Sequence, residues 1–281
     1  MRLNVMKTIS FPDGAEVPAL GQGTWMMAED RSRRDAEISA LREGVDLGMT
    51  LIDTAEMYGE GASETLVGEA IAGMRDRLFL VSKAYPQNAS RSRLARSCEA
   101  SLKRLGTDRL DLYLLHWRGA VPLAETVEAM ERLVEEGKIV RWGVSNLDTD
   151  DMEELVDAGG DACATDQILY NLTRRGPELA LMPWLAARSI PVMAYSPVEQ
   201  GRLLAKPALR AVAERRGATP VQIALAWILA QDGVIAIPKA GSAEHVRENR
   251  EAADLSLLLE DMAELDRAFP RPTRAHPLEM I

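Results

Sequence analysis

The sequence is short of the residues from which stapled, metal-built and membrane-spanning proteins are made. Two cysteines, Cys98 and Cys163, and three histidines in 281 residues are too few for a disulfide framework and poor material for structural zinc. Cys98 sits in the helical run Leu94 to Leu105 and Cys163 beside Ala162 and Ala164 before a strand, and both read as small core residues. The longest wholly apolar run, Ile223 to Ala230, falls far short of the roughly 20 residues that a membrane-spanning helix takes. Positive charge is also in deficit: 33 Lys and Arg stand against 43 Asp and Glu, a net charge of −10. The mean field therefore repels nucleic acid and acidic membrane surfaces and leaves room only for a local basic pocket suited to a small phosphate. Residues 1–14 carry Lys and Arg with no apolar stretch of signal-peptide length. The expectation is a soluble cytoplasmic protein, acting as a monomer on a small molecule, without nucleic-acid or membrane partners and without a metal.

What the chain does have is alternation. Short runs rich in Val, Ile, Leu and Tyr alternate with longer amphipathic segments, and no Ser/Gly/Pro-rich linker divides them. Eight strands are predicted, at Ala19 to Gly21, Leu51 to Asp53, Leu78 to Ser82, Leu110 to Leu115, Val140 to Val144, Ala164 to Gln167, Val192 to Tyr195 and Val234 to Ile237. Between them, Val127, Met130, Leu133 and Val134 draw one apolar stripe along a helix ending at Gly137. Thr219-Pro220 opens another as N-cap and first helical residue. Strands joined by helical crossovers are parallel, and eight such units in this length predict an α/β fold: a closed (β/α)8 TIM barrel, one domain over residues 1–281, with an open doubly wound sheet as the alternative. Met1 to Ser10 and Glu16 to Ala19 flank Pro-Asp-Gly as an N-terminal hairpin, and Leu257 to Phe269 adds an extra C-terminal helix.

The residues that end the strands are mostly polar: Thr24 and Trp25, Asp53, Lys83, His116, Ser145 and Asn146, Gln167, Tyr195 and Ser196, and Lys239. In a parallel barrel these ends converge on the rim that carries active sites. Taken singly, each is an ordinary turn former or helix cap; eight together, with a Lys, a His and an Asp among them, favour a site. Asp53, Lys83 and His116 follow the second, third and fourth strands, and Tyr58 lies five residues beyond Asp53. A lysine ammonium beside a phenol stabilises the phenolate, so Lys83 is expected to bring the Tyr58 pKa down from about 10 while Asp53 holds the lysine charged. Tyr58 then serves as a proton donor. Without chemistry, Asp53 and Lys83 make a structural ion pair, and Tyr58 and His116 are packing residues.

Taken with the motifs Gly21-Gln-Gly-Thr-Trp25, Leu51-Ile-Asp-Thr-Ala-Glu-Met-Tyr58-Gly59, Ser82-Lys83, Leu110-Asp-Leu-Tyr-Leu-Leu-His116-Trp117, Gly137-Lys-Ile-Val-Arg-Trp-Gly-Val-Ser145-Asn146, Ala194-Tyr-Ser-Pro197 and Ile237-Pro-Lys239, the chain resembles the aldo-keto reductases over nearly its whole length. Within them it is most similar to the bacterial methylglyoxal reductase-like branch. The resemblance implies a reaction, in which hydride passes from NADPH to the carbonyl carbon of a small aldehyde, ketoaldehyde or ketone. Tyr58 acts as general acid, His116 orients the carbonyl, and Lys83 and Asp53 support the acid.

By the same resemblance the cofactor NADP(H) runs past Gly23, Thr24, Trp25 and Asp53. Ser145, Asn146 and Gln167 bind the nicotinamide carboxamide and Tyr195 stacks on its ring. Ser196, Pro197, Val198, Gln200 and Gly201 follow the pyrophosphate; Lys239, Gly241, Ser242, His245, Glu248 and Asn249 line the adenosine end. Substrate meets Trp25, Tyr85, His116 and Trp117. Relatives that select the 2′-phosphate usually have serine directly after the lysine and arginine further on, where this chain has Ala240 and His245. Lys239 is then the one fixed positive charge expected there, since neutral histidine predominates at pH 7. The proline-containing tail after Phe269 is expected to form at most a small substrate-capping loop.

Other signals fail. Gly21-Gln-Gly23 lacks the third glycine of a dinucleotide fingerprint, and Gly143-Val-Ser-Asn-Leu147 lacks the last glycine of a nucleophile elbow. Two alternatives stay open at this stage: a Schiff-base aldolase or lyase using Lys83, and a nucleotide-sensing module of the same fold resembling the potassium-channel beta subunits.

Overall fold

The structure, a computed structural model, describes residues 5–274 and 276–281. Two short strands, β1 (Thr8–Ser10) and β2 (Glu16–Pro18), pair antiparallel. Eight parallel strands follow: β3 (Gln22–Gly23), β4 (Leu51–Asp53), β5 (Phe79–Ala84), β6 (Leu110–Leu115), β7 (Ile139–Ser145), β8 (Asp166–Leu169), β9 (Val192–Tyr195) and β10 (Val234–Ala236). They lie side by side in chain order, each bonded to the next. The parallel bridges Leu20↔Ala236 and Gly23↔Lys239 close the row on itself, so the expected barrel forms and the open sheet is excluded. Closure removes both sheet edges.

Helices α1 (Arg34–Asp46), α2 (Ala62–Ala70), α3 (Arg91–Leu105), α4 (Leu123–Glu135), α5 (Thr149–Asp157), α6 (Leu181–Ala186), α7 (Pro207–Arg216), α8 (Pro220–Leu229) and α9 (Ala243–Ala252) make the crossovers and the outer layer, and α10 (Leu259–Ala268) is the extra helix. In α4, Val127, Met130 and Leu133 are buried, and the chain turns away at Gly137 with φ +70°. Thr219 caps α8 reciprocally with Gln222, at 3.2 and 2.9 Å. Every residue of α8 from Gln222 to Leu229 is buried, which accounts for the long apolar run without a membrane. Both cysteines are buried and free, and burial pushes each thiol up to about 12, so neither is a nucleophile.

The hairpin seals the end of the barrel where the strands begin. Phe11 stacks on Phe79, the first residue of β5, at 5.2 Å between centroids, and Arg141 lies over both rings while pairing with Asp13 at 2.9 Å. The predicted part of the hairpin at Met1 to Asn4 lies outside the described residues.

Three barrel strands fall where the pattern puts them and three others are shifted. The first is found at Gln22–Gly23 rather than Ala19 to Gly21. Ala19 and Gly21 still form ladder bonds across the seam to Ala236 at 2.8 Å, but pairing with β4 begins only at Gln22. Strand β5 runs on through Lys83 to Ala84, and β8 lies two residues later than expected. In both, a polar residue that looked like a strand end stands inside the strand, because it finds its partner within the barrel.

Candidate active site

Successive side chains of a strand point to opposite faces, and β5 uses both. Ser82 points outward and donates to Glu64 of α2 at 2.6 Å. Lys83 points inward and is fully buried; its Nζ donates to Asp53 Oδ2 at 2.7 Å, to the Thr54 carbonyl at 2.9 Å and to Tyr58 OH at 3.1 Å. Asp53 Oδ1 accepts from Gln167 Nε2 at 2.8 Å, so both oxygens of this buried carboxylate are engaged. Tyr58 comes down from the loop after β4, where Gly59 and Glu60 both take left-handed backbone angles. That tight turn brings the phenol back over the barrel mouth, with its ring edge-on to His116 at 5.9 Å.

The electrostatics follow from this wiring. Burial opposes the Lys83 charge, but Asp53 and then Tyr58 outweigh it and hold the ammonium above the ordinary lysine value. Burial, and secondarily the charge of Lys83, pushes His116 down to about 2, so its imidazole is neutral. Its Nδ1 is buried without a hydrogen-bond partner among the described residues. The Tyr58 expectation needs correction. Burial raises the phenol pKa above its ordinary value; Lys83 pulls it down, but Asp53 pushes it up again. A lysine already neutralised by a carboxylate cannot offset the loss of water around a phenolate. Tyr58 is therefore a protonated phenol whose proton leaves only toward a strong base.

A second network adjoins the first. Ser145 Oγ donates to the Gln167 carbonyl at 2.8 Å, Asn146 Nδ2 donates to Ser145 Oγ at 3.0 Å and to the His116 carbonyl at 3.2 Å, and Tyr195 OH donates to Asn146 Oδ1 at 2.9 Å. Asn146 does not cap α5, as its sequence position allowed; Asp148 does. Asn146 instead takes a left-handed turn, φ +60°.

These residues face a cavity of about 530 Å³. On its wall are Gly23, Thr24, Trp25, Asp53, Tyr58, His116, Trp117, Ser145, Asn146, Gln167, Tyr195, Ser196, Pro197, Val198, Gln200 and Lys239, all expected from the sequence. Lys83 lies beneath the wall, hydrogen-bonded to Tyr58. Tyr85 is a correction: it packs edge-on behind Trp117 at 5.9 Å, and its backbone N–H is held by Glu56 at 2.7 Å, so it braces the wall without forming it. Gly201, Gly241, Ser242, His245, Glu248 and Asn249 are also off the wall; the last five continue from Lys239 into α9. Five wall residues were not expected: Met26, Met57, Ile237, Met280 and Ile281. Met57 stands next to Tyr58 and was legible; the last two come from the tail, which is tied down by Asp148 to the Leu278 N–H at 3.0 Å and by Arg174 to Glu279 at 2.5 Å.

The cavity suits a dinucleotide. It has a polar floor of Asp53, Ser145, Asn146 and Gln167 and runs on as far as Lys239; past it the Arg33 and Lys239 side chains come so close to Gly241 that a Cβ there would lie 2.9 Å from Arg33 Nη2 and 3.3 Å from Lys239 Nζ. No metal-binding cluster occurs among the described residues.

Comparison with known proteins agrees with this geometry. Residues 19–269 match the model of the aldo/keto reductase family. The methylglyoxal reductase YeaE of Escherichia coli K12 is 50% identical over 281 residues, 98% of this chain and 99% of that protein, and the glyoxal reductase of Bacillus subtilis is 31% identical over 99% of this chain and 98% of its own. The crystal structure of an aldo/keto reductase from Klebsiella pneumoniae in complex with NADP and acetate superposes with a TM-score of 0.96 at 53% identity, covering 99% of this chain and 100% of that one. A reductase barrel with its strand-end residues gathered on one cavity, matched along nearly its whole length, belongs to the aldo/keto reductase family.

Proposed function

We propose that this chain reduces small aldehydes, ketoaldehydes or ketones to alcohols at the cost of NADPH, with Tyr58 as the proton donor. The observation that carries the reading is the fixed chain Asp53–Lys83–Tyr58, at 2.7 and 3.1 Å, opening onto the cavity beside His116. The relatives act on methylglyoxal and glyoxal, and a near structural neighbour holds NADP; nothing favours an aldolase or a binding module. For the aldolase in particular, Lys83 is spoken for by three acceptors and is held in its charged, non-nucleophilic form.

When bound, the dinucleotide supplies the hydride. The residues do the rest. Ser145, Asn146 and Gln167 would hold the nicotinamide amide, and Tyr195 would lie against its ring. Neutral His116 orients the carbonyl oxygen through its ring N–H. As that oxygen gains negative charge it becomes a base strong enough to take the Tyr58 proton, forming the alcohol O–H and leaving a phenolate beside the Lys83 ammonium. The raised pKa of the resting phenol keeps the proton in place until then. The aromatic and methionine wall of Trp25, Trp117, Met26, Met57 and Met280 suits small carbonyl compounds of varied shape.

Supporting the wider reading, the charge of −10 disfavours nucleic acid, and no helix among the described residues is long and apolar enough to cross a membrane. We further propose one domain, acting as a monomer in the cytoplasm. The decisive experiment is steady-state reduction of methylglyoxal and related aldehydes by wild type and Tyr58→Phe. The expected loss in kcat is about 10²–10⁴-fold, with NADPH affinity unchanged by fluorescence titration. Turnover retained in the variant overturns the assignment of the acid.

A further inference from the structure

Thirteen methionines are spread along the chain, and the fold sorts them sharply. Met27, Met49, Met130, Met152 and Met193 are no more than 1% exposed, whereas Met26 and Met280 are 51% and 54% exposed; no other methionine among the described residues is exposed to that degree. Both stand on the wall of the active-site cavity. Trp25 and Ile281 stand there too, so that four of the nine large apolar side chains left exposed among the described residues belong to one wall. Apolar surface gathered in this way is a contact surface for a ligand, and two of its four members carry sulfur.

The surrounding backbone holds both sulfurs at the mouth. Met26 takes a left-handed conformation, φ +63°, in a loop pinned by the Met27 N–H, which donates to the Thr24 carbonyl at 3.0 Å, and by the Ala28 N–H, which donates to Glu37 at 2.9 Å. Met280 follows a segment tied down at Leu278 by Asp148 and at Glu279 by Arg174. The thiols offer no competing target. Cys98 and Cys163 are 0% and 1% exposed, and burial pushes each up to about 12, so the thiolate that reacts with peroxides is scarce.

We propose that Met26 and Met280 are sites of reversible oxidation by hydrogen peroxide, and that their conversion to sulfoxides weakens substrate binding without touching the proton-transfer chain. This rests on the reading of the cavity as the substrate site of a carbonyl reductase. A thioether lone pair attacks one peroxide oxygen; the S–O bond forms as the O–O bond breaks, and the second oxygen leaves as hydroxide and takes up the proton of the first to become water. Sulfur gives up two electrons and the peroxide gains them. The way back takes a methionine sulfoxide reductase and a dithiol: the oxygen departs as water and the two thiols become a disulfide. A sulfoxide is polar and stays hydrated, so an apolar carbonyl compound no longer displaces water from the wall at that point.

In the test, wild type and the Met26→Leu/Met280→Leu double variant are treated with hydrogen peroxide, and each is compared with its own untreated sample. Leucine suits both positions, being apolar and unbranched at Cβ. Peptide mass mapping of wild type should find one added oxygen at Met26 and at Met280 before any at Met27, an internal control one residue away. KM for butanal, a small apolar aldehyde, is expected to rise about tenfold, the low end of what one methylene of apolar contact is worth to a pocket, with kcat within about twofold, as loss of uniform binding requires. The double variant shows no such rise, whatever its starting KM, and the two epimer-specific methionine sulfoxide reductases with dithiothreitol restore the treated wild type. Oxidation that reaches Met27 and the other buried methionines as soon as Met26 and Met280 overturns the assignment of the sites. An equal rise in KM in the double variant, or a wild-type KM that stays put once both sulfurs are oxidised, overturns their role. An untreated wild type that reduces no aldehyde would instead overturn the reductase reading, and the mass map would still stand.

Discussion

Two aspartates are buried on opposite sides of the barrel wall, and their circumstances differ completely. Asp53, inside at the end of β4 and 2% exposed, meets Lys83 with one oxygen and Gln167 with the other. Asp166 precedes Gln167 in β8, so its side chain faces outward; it is 0% exposed, and neither oxygen has a hydrogen-bond partner among the described residues. Burial raises the Asp166 pKa well above its ordinary value; the nearby Leu147 N–H does not compensate for it, and Asp151 and Asp148 add to it. Burial by itself expels charge. A buried carboxylate is stabilised where a cation and donors were built to receive it; Asp53 has both and Asp166 has neither.

The sharpest way to break the contrast is to make Asp53 resemble Asp166. Lys83→Met leaves a buried carboxylate without its cation and is expected to cost about 3–5 kcal/mol of stability, the range for half of a buried ion pair, and to abolish turnover. Chemical denaturation checks the first effect; a variant as stable as wild type would show that the pair contributes nothing to the fold. The reverse experiment is Asp166→Asn. The folded state holds the Asp166 proton that the unfolded chain releases above about pH 4, so its contribution is complete below that pH and is lost as pH rises. The asparagine variant should match wild type near pH 4 and exceed it at pH 7 by about 1–3 kcal/mol, the usual penalty for an uncompensated buried polar group. A difference that does not grow with pH would mean that Asp166 is ionised in the fold. The smallest effect concerns His116: with its pKa pushed down to about 2, kcat/KM should show no limb between pH 6 and 8 and change by less than about twofold from this residue. A limb near pH 6.5 would place His116 in water.

The architecture was largely legible, since periodicity and turn residues state where strands and helices lie. Strands β4, β6 and β9 fall where the apolar runs do, and the four residues proposed for catalysis, Asp53, Tyr58, Lys83 and His116, stand together. The misreadings share a cause. Lys83 and Gln167 looked like strand ends because polarity was taken as exposure, whereas inside the barrel each finds a partner in Asp53. The Tyr58 pKa shifts in the direction opposite to that expected because a lysine seen alone carries a full charge, and a lysine with its carboxylate carries little. Tyr85 looked like a third aromatic on the mouth, but pattern does not reveal which of two stacked rings stands in front. Met280 and Ile281 gave no local signal, for only the fold brings the distant tail to the cavity.

The seam of the barrel has a dynamic consequence. The first and last segments of the cylinder meet there through the short stretch from Ala19 to Gly23, and the contact is so close that a Cβ on Gly23 would come within 2.7 Å of the Ile237 carbonyl oxygen. Gly23 and Lys239, paired across that seam, both belong to the wall against which the cofactor would lie. A ligand spanning them works as a clasp: its binding free energy is added to that of ring closure, so the loaded enzyme should breathe least where the empty one breathes most.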